Sequence, residues 1–187
     1  MSVPWQHGRV TLRRPLNATA ASLLGFLHDR PMTGWELVAV AQERIGDFWT
    51  LTQSQVYREL AAMAEAGLIE AGPPGPRDRK PYSVTDAGRA AFADWIGREP
   101  GPDQVRIPLL LTLAFADHLP AGRLTELLTA LRAEHAERLA RYEAGRAALR
   151  TDGTPAARTR LLTLEYGLRH ERAVLDWFDA LPDLLEP

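Results

Sequence analysis

The sequence predicts a mainly α-helical protein that contains one small β-hairpin and is divided into two parts. Apolar residues recur every three or four positions through most of the chain, which is the spacing of helices with one buried face. The spacing changes to alternation only around residues 68–85, where a proline-rich segment separates two short apolar runs. A proline and glycine interruption at residues 100–102 marks the boundary between the two parts.

The composition is that of a globular protein and excludes several classes of function. Of 187 residues, 45% are hydrophobic and 25% are charged, and the formal net charge is −2. The chain has no cysteine, which rules out disulfides, thiolate zinc sites and cysteine nucleophiles and fits a reducing compartment. No apolar run approaches the roughly 20 residues of a membrane span, and the N-terminus lacks a signal-peptide core. We therefore expect a cytoplasmic protein with no membrane partner.

Two capped helices are predicted near the N-terminus. Asn17 is placed to cap the first, whose apolar face carries Ala20, Leu23, Leu24 and Leu27. The run Thr33-Gly-Trp-Glu36 is a capping box, in which the hydroxyl and the carboxylate bond the free N–H groups of a helix start. Gly46 is placed to end this second helix.

A third helix follows after a short connection. The run Thr52-Gln-Ser-Gln55 is a second capping box, and the apolar face behind it carries Val56, Leu60, Met63 and Ala64. Gly67 supplies the left-handed residue with which helices often end. The second and third helices therefore have the arrangement of a helix-turn-helix, whose second helix enters the major groove of DNA.

The proline-rich segment is predicted to be the tip of a hairpin. Residues 72–84 contain four prolines and three basic side chains, and short strands flank the tip. Proline limits the conformational freedom of such a loop in the unfolded chain and prevents further strand pairing. Arg77, Arg79 and Lys80 supply positive charge. A basic hairpin beside a helix-turn-helix is typical of a winged helix, in which the wing holds phosphates next to the groove.

The second part is predicted to be wholly helical. A fourth helix, capped by Thr85, closes the first part. In the second part a helix begins at Pro108, a long helix spans Arg123 to about Arg150, and the last helix begins near Pro155. The apolar surface of the last helix is wider than one seam, so we expect part of it to face a second copy of the chain. The predicted interface residues are Leu161, Leu164, Leu168, Leu175 and Phe178. The alternative is a helix buried within its own chain.

These elements predict three segments and a DNA-reading surface. The segments are an N-terminal extension at residues 1–16, a winged helix-turn-helix domain at 17–99 and a helical dimerisation domain at 103–187. Glutamine suits adenine edges, arginine suits guanine or phosphate, and hydroxyls suit phosphate. The candidate DNA-binding residues are Thr52, Gln53, Ser54, Gln55, Tyr57, Arg58, Arg77, Arg79, Lys80 and Tyr82. The alternative for the third helix is an ordinary solvated face.

Several stretches of the chain resemble the PadR-like family of transcriptional regulators. They are Leu24-Gly-Phe-Leu27, Met32-Thr-Gly-Trp-Glu-Leu37, Phe48-Trp49, Val56-Tyr57, Ala66-Gly-Leu-Ile69, the run from Lys80 to Arg89, Leu164-Glu-Tyr-Gly167 and the run from Glu171 to Trp177. The resemblance covers about residues 18–181. It departs from the family pattern at Trp35, where tyrosine is usual, and at Ser54-Gln-Val56, where Gly-Ser-Leu is common.

The resemblance implies a homodimeric winged-helix repressor whose C-terminal helices form the dimer. It also implies release of DNA by a small aromatic or cationic effector. A two-fold dimer should bind an inverted-repeat operator in double-stranded DNA, with half-sites roughly 34 Å apart or a multiple of that distance.

Other candidate sites rest on fewer residues. Trp95, Trp177 and Phe178 are candidate walls of an effector pocket, because aromatic surfaces suit flat ligands, and the alternative is packing in the core. Arg13 and Arg14 are either a basic arm that reaches an adjacent groove or part of a frayed tail.

No feature of the sequence favours catalysis. The histidines lack metal-ligand spacing, and no phosphate loop or nucleophile elbow is present, so we expect no metal, no cofactor and no enzymatic activity. The remaining alternative is a winged-helix protein-interaction module that does not bind DNA.

Overall fold

The computed structural model describes residues 15–75, 80–103 and 105–185, which fall into two compact units divided after Asp103. The elements of the first unit are α1 (Ala18–Leu27), β1 (Met32–Thr33), α2 (Gly34–Ile45), α3 (Gln53–Glu65), β2 (Ile69–Ala71), β3 (Pro81–Val84) and α4 (Asp86–Ile96). Those of the second are α5 (Pro108–Leu113), a 3₁₀ turn (Ala116–His118), α6 (Arg123–Asp152) and α7 (Pro155–Leu185). The prediction of a mainly helical protein is confirmed. The predicted extension at residues 1–16, with Arg13 and Arg14, lies almost entirely outside the described residues.

Capping side chains determine where the helices of the first unit begin. The Asn17 side chain accepts a hydrogen bond from the N–H of Ala20 at 2.9 Å, and Thr85 Oγ1 accepts one from the N–H of Gly88 at 3.1 Å. Thr33 and Thr52 each form a complete capping box. All four predicted caps are therefore confirmed, and each satisfies backbone donors that have no partner inside the helix.

The strands form a three-stranded antiparallel sheet in the order β1-β3-β2. The predicted hairpin is the β2–β3 pair, in which Ile69 lies opposite Val84. The sequence did not predict β1, where Met32 lies opposite Tyr82. A strand of two residues is too short to show alternation, and its partner lies about fifty positions away in the chain.

The core of the first unit lies between the helices and the sheet. Its most deeply buried large side chains are Leu23, Leu24, Met32, Leu37, Val56 and Leu60. Burial of each such side chain contributes roughly 1.5–3 kcal/mol to folding before entropy is counted. Gly88 lets the start of α4 approach this core, because a Cβ on it would stand 2.0 Å from the carbonyl oxygen of Leu68. Only glycine fits there.

In the second unit, α6 and α7 pack as an antiparallel pair. Three ion pairs between them show this, because their α7 partners fall as the α6 positions rise: Arg132–Asp179, Arg138–Glu171 and Arg146–Glu165. Glu143 of α6 also pairs with Arg172 of α7. Close packing is possible at Gly167, because a Cβ there would stand 2.7 Å from the Tyr142 ring. The role of Gly167 is therefore steric. This glycine belongs to the stretch that the sequence shares with the PadR-like pattern.

Glu171 is a buried carboxylate between these two helices. It is 2% exposed, although its position interrupts the apolar stripe of α7. His135 Nδ1 lies 2.6 Å from Glu171 Oε2, and Arg138 Nη1 donates to Glu171 Oε1 at 3.2 Å. Both partners come from α6, so the carboxylate is satisfied only when the two helices are in this register.

The five residues predicted for a dimer interface are not equally accessible in the single chain. Leu168 and Phe178 are buried within the second unit, as the alternative interpretation of the last helix predicted, while Leu161, Leu164 and Leu175 are half-buried. Among the α7 side chains that the structure describes, the large apolar ones that are open are Leu162 and Tyr166, which are 75% and 71% exposed. No helix within the described residues is both long and apolar enough to cross a membrane.

Candidate nucleic-acid interface

The outward face of α3 carries a group of polar side chains on a firmly anchored helix. Val56, Leu60 and Met63 are buried on the opposite face and fix the helix to the core. The exposed polar side chains of the first two turns are Gln53, Ser54, Tyr57 and Arg58. This arrangement offers donors and acceptors to a partner without disturbing the core.

The two glutamines at the start of α3 have different surroundings. Gln55 Oε1 accepts hydrogen bonds from the Thr52 N–H at 2.9 Å and from the Thr52 hydroxyl at 3.0 Å. Gln55 is half-buried, and its carbonyl oxygen is used by the cap. Gln53 is exposed and makes no side-chain hydrogen bond to any residue that the structure describes. Pairing with adenine requires both the oxygen and the NH₂ of the amide. Gln53, whose amide is not used by the cap, is therefore the glutamine that can pair with adenine.

Tyr57 lies where α3 meets the beginning of α2. Its ring covers Gly34 so closely that a Cβ on that glycine would stand 2.7 Å from Cε1. The ring is nevertheless 45% exposed. The sequence identified Tyr57 as a candidate but not Gly34, because a glycine at a helix start does not reveal which side chain packs on it.

The hairpin beside α3 is described at its base and not at its tip. The N–H of Gly72 donates to the carbonyl of Pro81 at 2.7 Å and closes the base, and Lys80 is exposed there. Tyr82 is half-buried on β3 and packs against the core, so only part of its ring is open to a partner. Arg77 and Arg79, which we predicted to hold phosphates, lie outside the described residues.

The start of α2 carries a carboxylate whose charge is compensated. Glu36 accepts hydrogen bonds from the backbone N–H and the hydroxyl of Thr33 and from the Arg30 guanidinium, at 2.8, 2.9 and 2.9 Å. The bond from the Thr33 N–H, aided by the other two, lowers the pKa of the Glu36 carboxyl. Glu36 therefore stays ionised at neutral pH, with Arg30 offsetting its charge.

The candidate effector residues lie in different units. Trp177 and Phe178 touch in α7, with ring centroids 4.9 Å apart, and the Phe178 ring also lies 5.8 Å from that of His135. Trp95 is half-buried on α4 and packs against the core of the first unit. Across the described ranges, no three histidine, aspartate or glutamate side chains are grouped as metal ligands would be.

Several exposed aromatic side chains flank α2 and were not among the predicted site residues. Trp35 at the start of α2 is 56% exposed, and Phe48 and Trp49 after its end are 60% and 43% exposed. The sequence pattern could not predict this exposure, because it does not show whether other segments cover an aromatic side chain at the end of a helix.

Comparison with known proteins adds to this geometry. Residues 23–94 match the transcriptional regulator PadR-like family, and residues 105–186 match the family described as virulence activator alpha C-term. A probable transcriptional regulator of Mycobacterium tuberculosis, Rv1176c, is 30% identical over 183 residues, which cover 88% of this chain and 96% of that protein.

Two solved structures have the same fold. PadR of Bacillus subtilis in complex with operator DNA superposes with a TM-score of 0.74 at 22% identity, covering 91% of this chain and 100% of that one. The same protein in complex with p-coumaric acid superposes with a TM-score of 0.69 at 23% identity, covering 90% and 98%. The predicted winged helix-turn-helix with a C-terminal helical region is thereby confirmed.

Proposed function

The chain belongs to the PadR-like family of transcriptional regulators, and on this premise we propose that it represses transcription as a homodimer bound to an inverted-repeat operator in double-stranded DNA. The observation that carries the proposal is the exposed polar face of α3, which is anchored on the core. The sequence of the neighbouring hairpin adds Arg77, Arg79 and Lys80. The operator complex of Bacillus subtilis PadR, which shares this fold, supports it. The resemblance seen in the sequence led to the same family.

The residues of the first unit divide into two kinds of contact. Gln53 and Ser54 lie in the first turn of α3, which is the part of a recognition helix that reaches base edges. Arg58 and Lys80, together with Arg77 and Arg79 at the hairpin tip, supply positive charge for phosphates. Base contacts then give specificity, and phosphate contacts give affinity that falls with salt.

Exposed apolar side chains support assembly with a second copy. In α5, a helix of largely apolar sequence, no residue is buried, and Leu110 and Leu111 are 50% and 66% exposed. Leu162 and Tyr166 of α7 add further open apolar surface. Apolar side chains in such number favour a protein partner, and a two-fold dimer is the arrangement that reads an inverted repeat. The proposed dimerisation domain spans residues 103–187, and the proposed DNA-binding domain spans residues 17–99.

We further propose that a small aromatic or cationic molecule releases the protein from DNA. Bacillus subtilis PadR binds p-coumaric acid, which is a flat aromatic acid. In this chain the contacting rings of Trp177 and Phe178 are the candidate walls in α7, and Trp95 is the candidate in α4. Such a molecule must bind the free and DNA-bound states unequally, since otherwise it does not shift occupancy.

The proposed action is occupancy of DNA, not catalysis. The relatives that match are regulators, which supports a binding role without an active site. A repressor acts where the chromosome is, so we propose a cytoplasmic location.

A footprint on the DNA upstream of the protein's own gene tests the function. Purified protein should protect two half-sites related by two-fold symmetry, roughly 34 Å or a multiple of that apart. Sedimentation of the same complex should give two chains per operator. Protection of a single asymmetric site would contradict the dimer, and absence of any protection at low salt would favour a protein-interaction module instead.

A further inference from the structure

Gly34 is the first residue of α2, and it lies directly beneath the Tyr57 ring of α3. A Cβ on Gly34 would stand 2.7 Å from Cε1, 2.9 Å from Cζ and 3.2 Å from the hydroxyl oxygen. Carbon atoms that are not bonded prefer separations of about 3.5–4.0 Å. The backbone of Gly34 is not left-handed, so glycine is needed here for space and not for conformation.

The Tyr57 side chain is held on one side and open on the other. The ring atoms nearest the start of α2 are Cε1 and Cζ, next to the hydroxyl, while 45% of the residue remains exposed. Within the part of the chain that the structure describes, the hydroxyl makes no hydrogen bond to another residue. The packing therefore places the ring at the junction of two helices, and the hydroxyl is a donor that no described residue uses.

We propose that the Tyr57 hydroxyl donates a hydrogen bond to a backbone phosphate of bound DNA, and that Gly34 is the positioning residue for this contact. The inference rests on the proposed function, because it requires α3 to enter the groove. In helix-turn-helix complexes the helix before the recognition helix crosses the phosphate backbone. Tyr57 leans on that preceding helix, about one turn beyond Gln53, so its hydroxyl lies on the phosphate side of the interface.

This assignment separates Tyr57 from the other residues of the polar face. A phosphate contact fixes orientation but carries no sequence information, whereas Gln53 is placed to read a base. A neutral hydroxyl also releases no counterion, whereas an arginine or lysine on a phosphate does. The expected signature of Tyr57 is therefore a loss of affinity that is independent of both sequence and salt.

The first test replaces Tyr57 with phenylalanine in the full chain and measures binding by fluorescence anisotropy. The probes are a duplex from upstream of the protein's own gene and a scrambled duplex of equal length. Tyr57→Phe should weaken binding to both by roughly tenfold, with the slope of log Kd against log salt unchanged. Unchanged affinity, or a loss confined to the upstream duplex, would overturn the phosphate assignment.

The second test asks whether Gly34 acts through Tyr57. Gly34→Ala should weaken binding about as much as Tyr57→Phe, because the new methyl group displaces the ring. Its Tm should stay near that of the wild type, since an exposed ring can move outward and alanine is a good helix former. Gly101→Ala is the matched control, because a Cβ at Gly101 meets no atom within 4 Å.

A double-mutant cycle measures whether Gly34 and Tyr57 are coupled in DNA binding. In a Tyr57→Ala background the ring is gone, so Gly34→Ala should have no further effect on binding. An equal loss with and without the tyrosine would overturn the positioning role. A wild-type protein that binds neither duplex at low salt would overturn the proposed function and this inference together. Normal wild-type binding with unaffected variants would overturn this inference alone.

Discussion

The side-chain oxygen of Gln55 accepts a hydrogen bond from the backbone N–H of Thr52 at 2.9 Å, and this bond makes Gln55 part of a helix cap. Gln53, two positions earlier, is exposed and makes no such bond among the described residues. The sequence made both glutamines candidates for base contacts and favoured Gln55 as the one that sets operator preference, but the structure gives the two different surroundings.

Replacing each glutamine with alanine should therefore give different results. Gln53→Ala should change the order of preference among operator variants by about 1–3 kcal/mol at one base pair while leaving stability unchanged. Gln55→Ala should lower the free energy of unfolding by about 1 kcal/mol with little change in that order. Selection from a randomised duplex library, together with urea denaturation, measures both. A shift of preference in Gln55→Ala alone would reverse the assignment.

Replacing Arg77, Arg79 and Lys80 together with alanine should weaken binding to every duplex alike. Each lost phosphate contact should flatten the slope of log Kd against log salt by about 0.9, because fewer counterions are released. Titrations between low and physiological salt check this expectation. As a control, Arg89→Ala removes a positive charge from α4, outside the predicted site residues, and should leave the slope unchanged. An unchanged slope in the triple variant would show that the hairpin tip does not contact DNA.

Glu36 should make stability depend on acid pH. Its carboxyl has a lowered pKa in the folded chain, so its ionised form stabilises the fold above the unfolded pKa and this contribution is lost as the pH falls through the folded pKa. The difference in Tm between the wild type and Glu36→Gln should therefore be largest near neutral pH and shrink below about pH 4. Thermal melts across this range provide the measurement. A difference that is constant with pH would contradict the role of its charge.

Replacing Glu171 with alanine should cost far more stability than replacing an exposed partner of the same helix pair. Removal of one member of a buried ion pair costs about 3–5 kcal/mol, since the remaining charges lose their partner. Glu143 pairs with Arg172 at 2.8 Å but is 47% exposed, so Glu143→Ala should cost about 1 kcal/mol or less. Urea denaturation of the two variants compares these costs directly. Equal losses would show that burial of Glu171 contributes nothing special.

The sequence predicted those features that depend on neighbouring residues. The caps at Asn17, Thr33, Thr52 and Thr85 rest on local runs of three or four residues, and Gly67 has the left-handed conformation expected of it, with a φ of 70°. The hairpin base and the long helices were likewise visible from spacing. These signals are local, because a cap or a turn needs only a few adjacent side chains.

The features that the sequence did not show depend on distant residues. β1 exists because Met32 meets Tyr82, and Glu171 is buried because His135 and Arg138 reach it from another helix. Gly34 is required by a tyrosine 23 positions later in the chain. Each pairing becomes visible only when the fold brings the two segments together.

The register of α6 and α7 limits how this helix pair can move. A slide of one helical turn, about 5.4 Å, would carry the buried Glu171 carboxylate away from both His135 and Arg138 and leave it without these partners. Sliding of one helix past the other is therefore penalised, and we expect the two helices to move together. We therefore expect the small molecule proposed above, where it acts on this helix pair, to tilt both helices together.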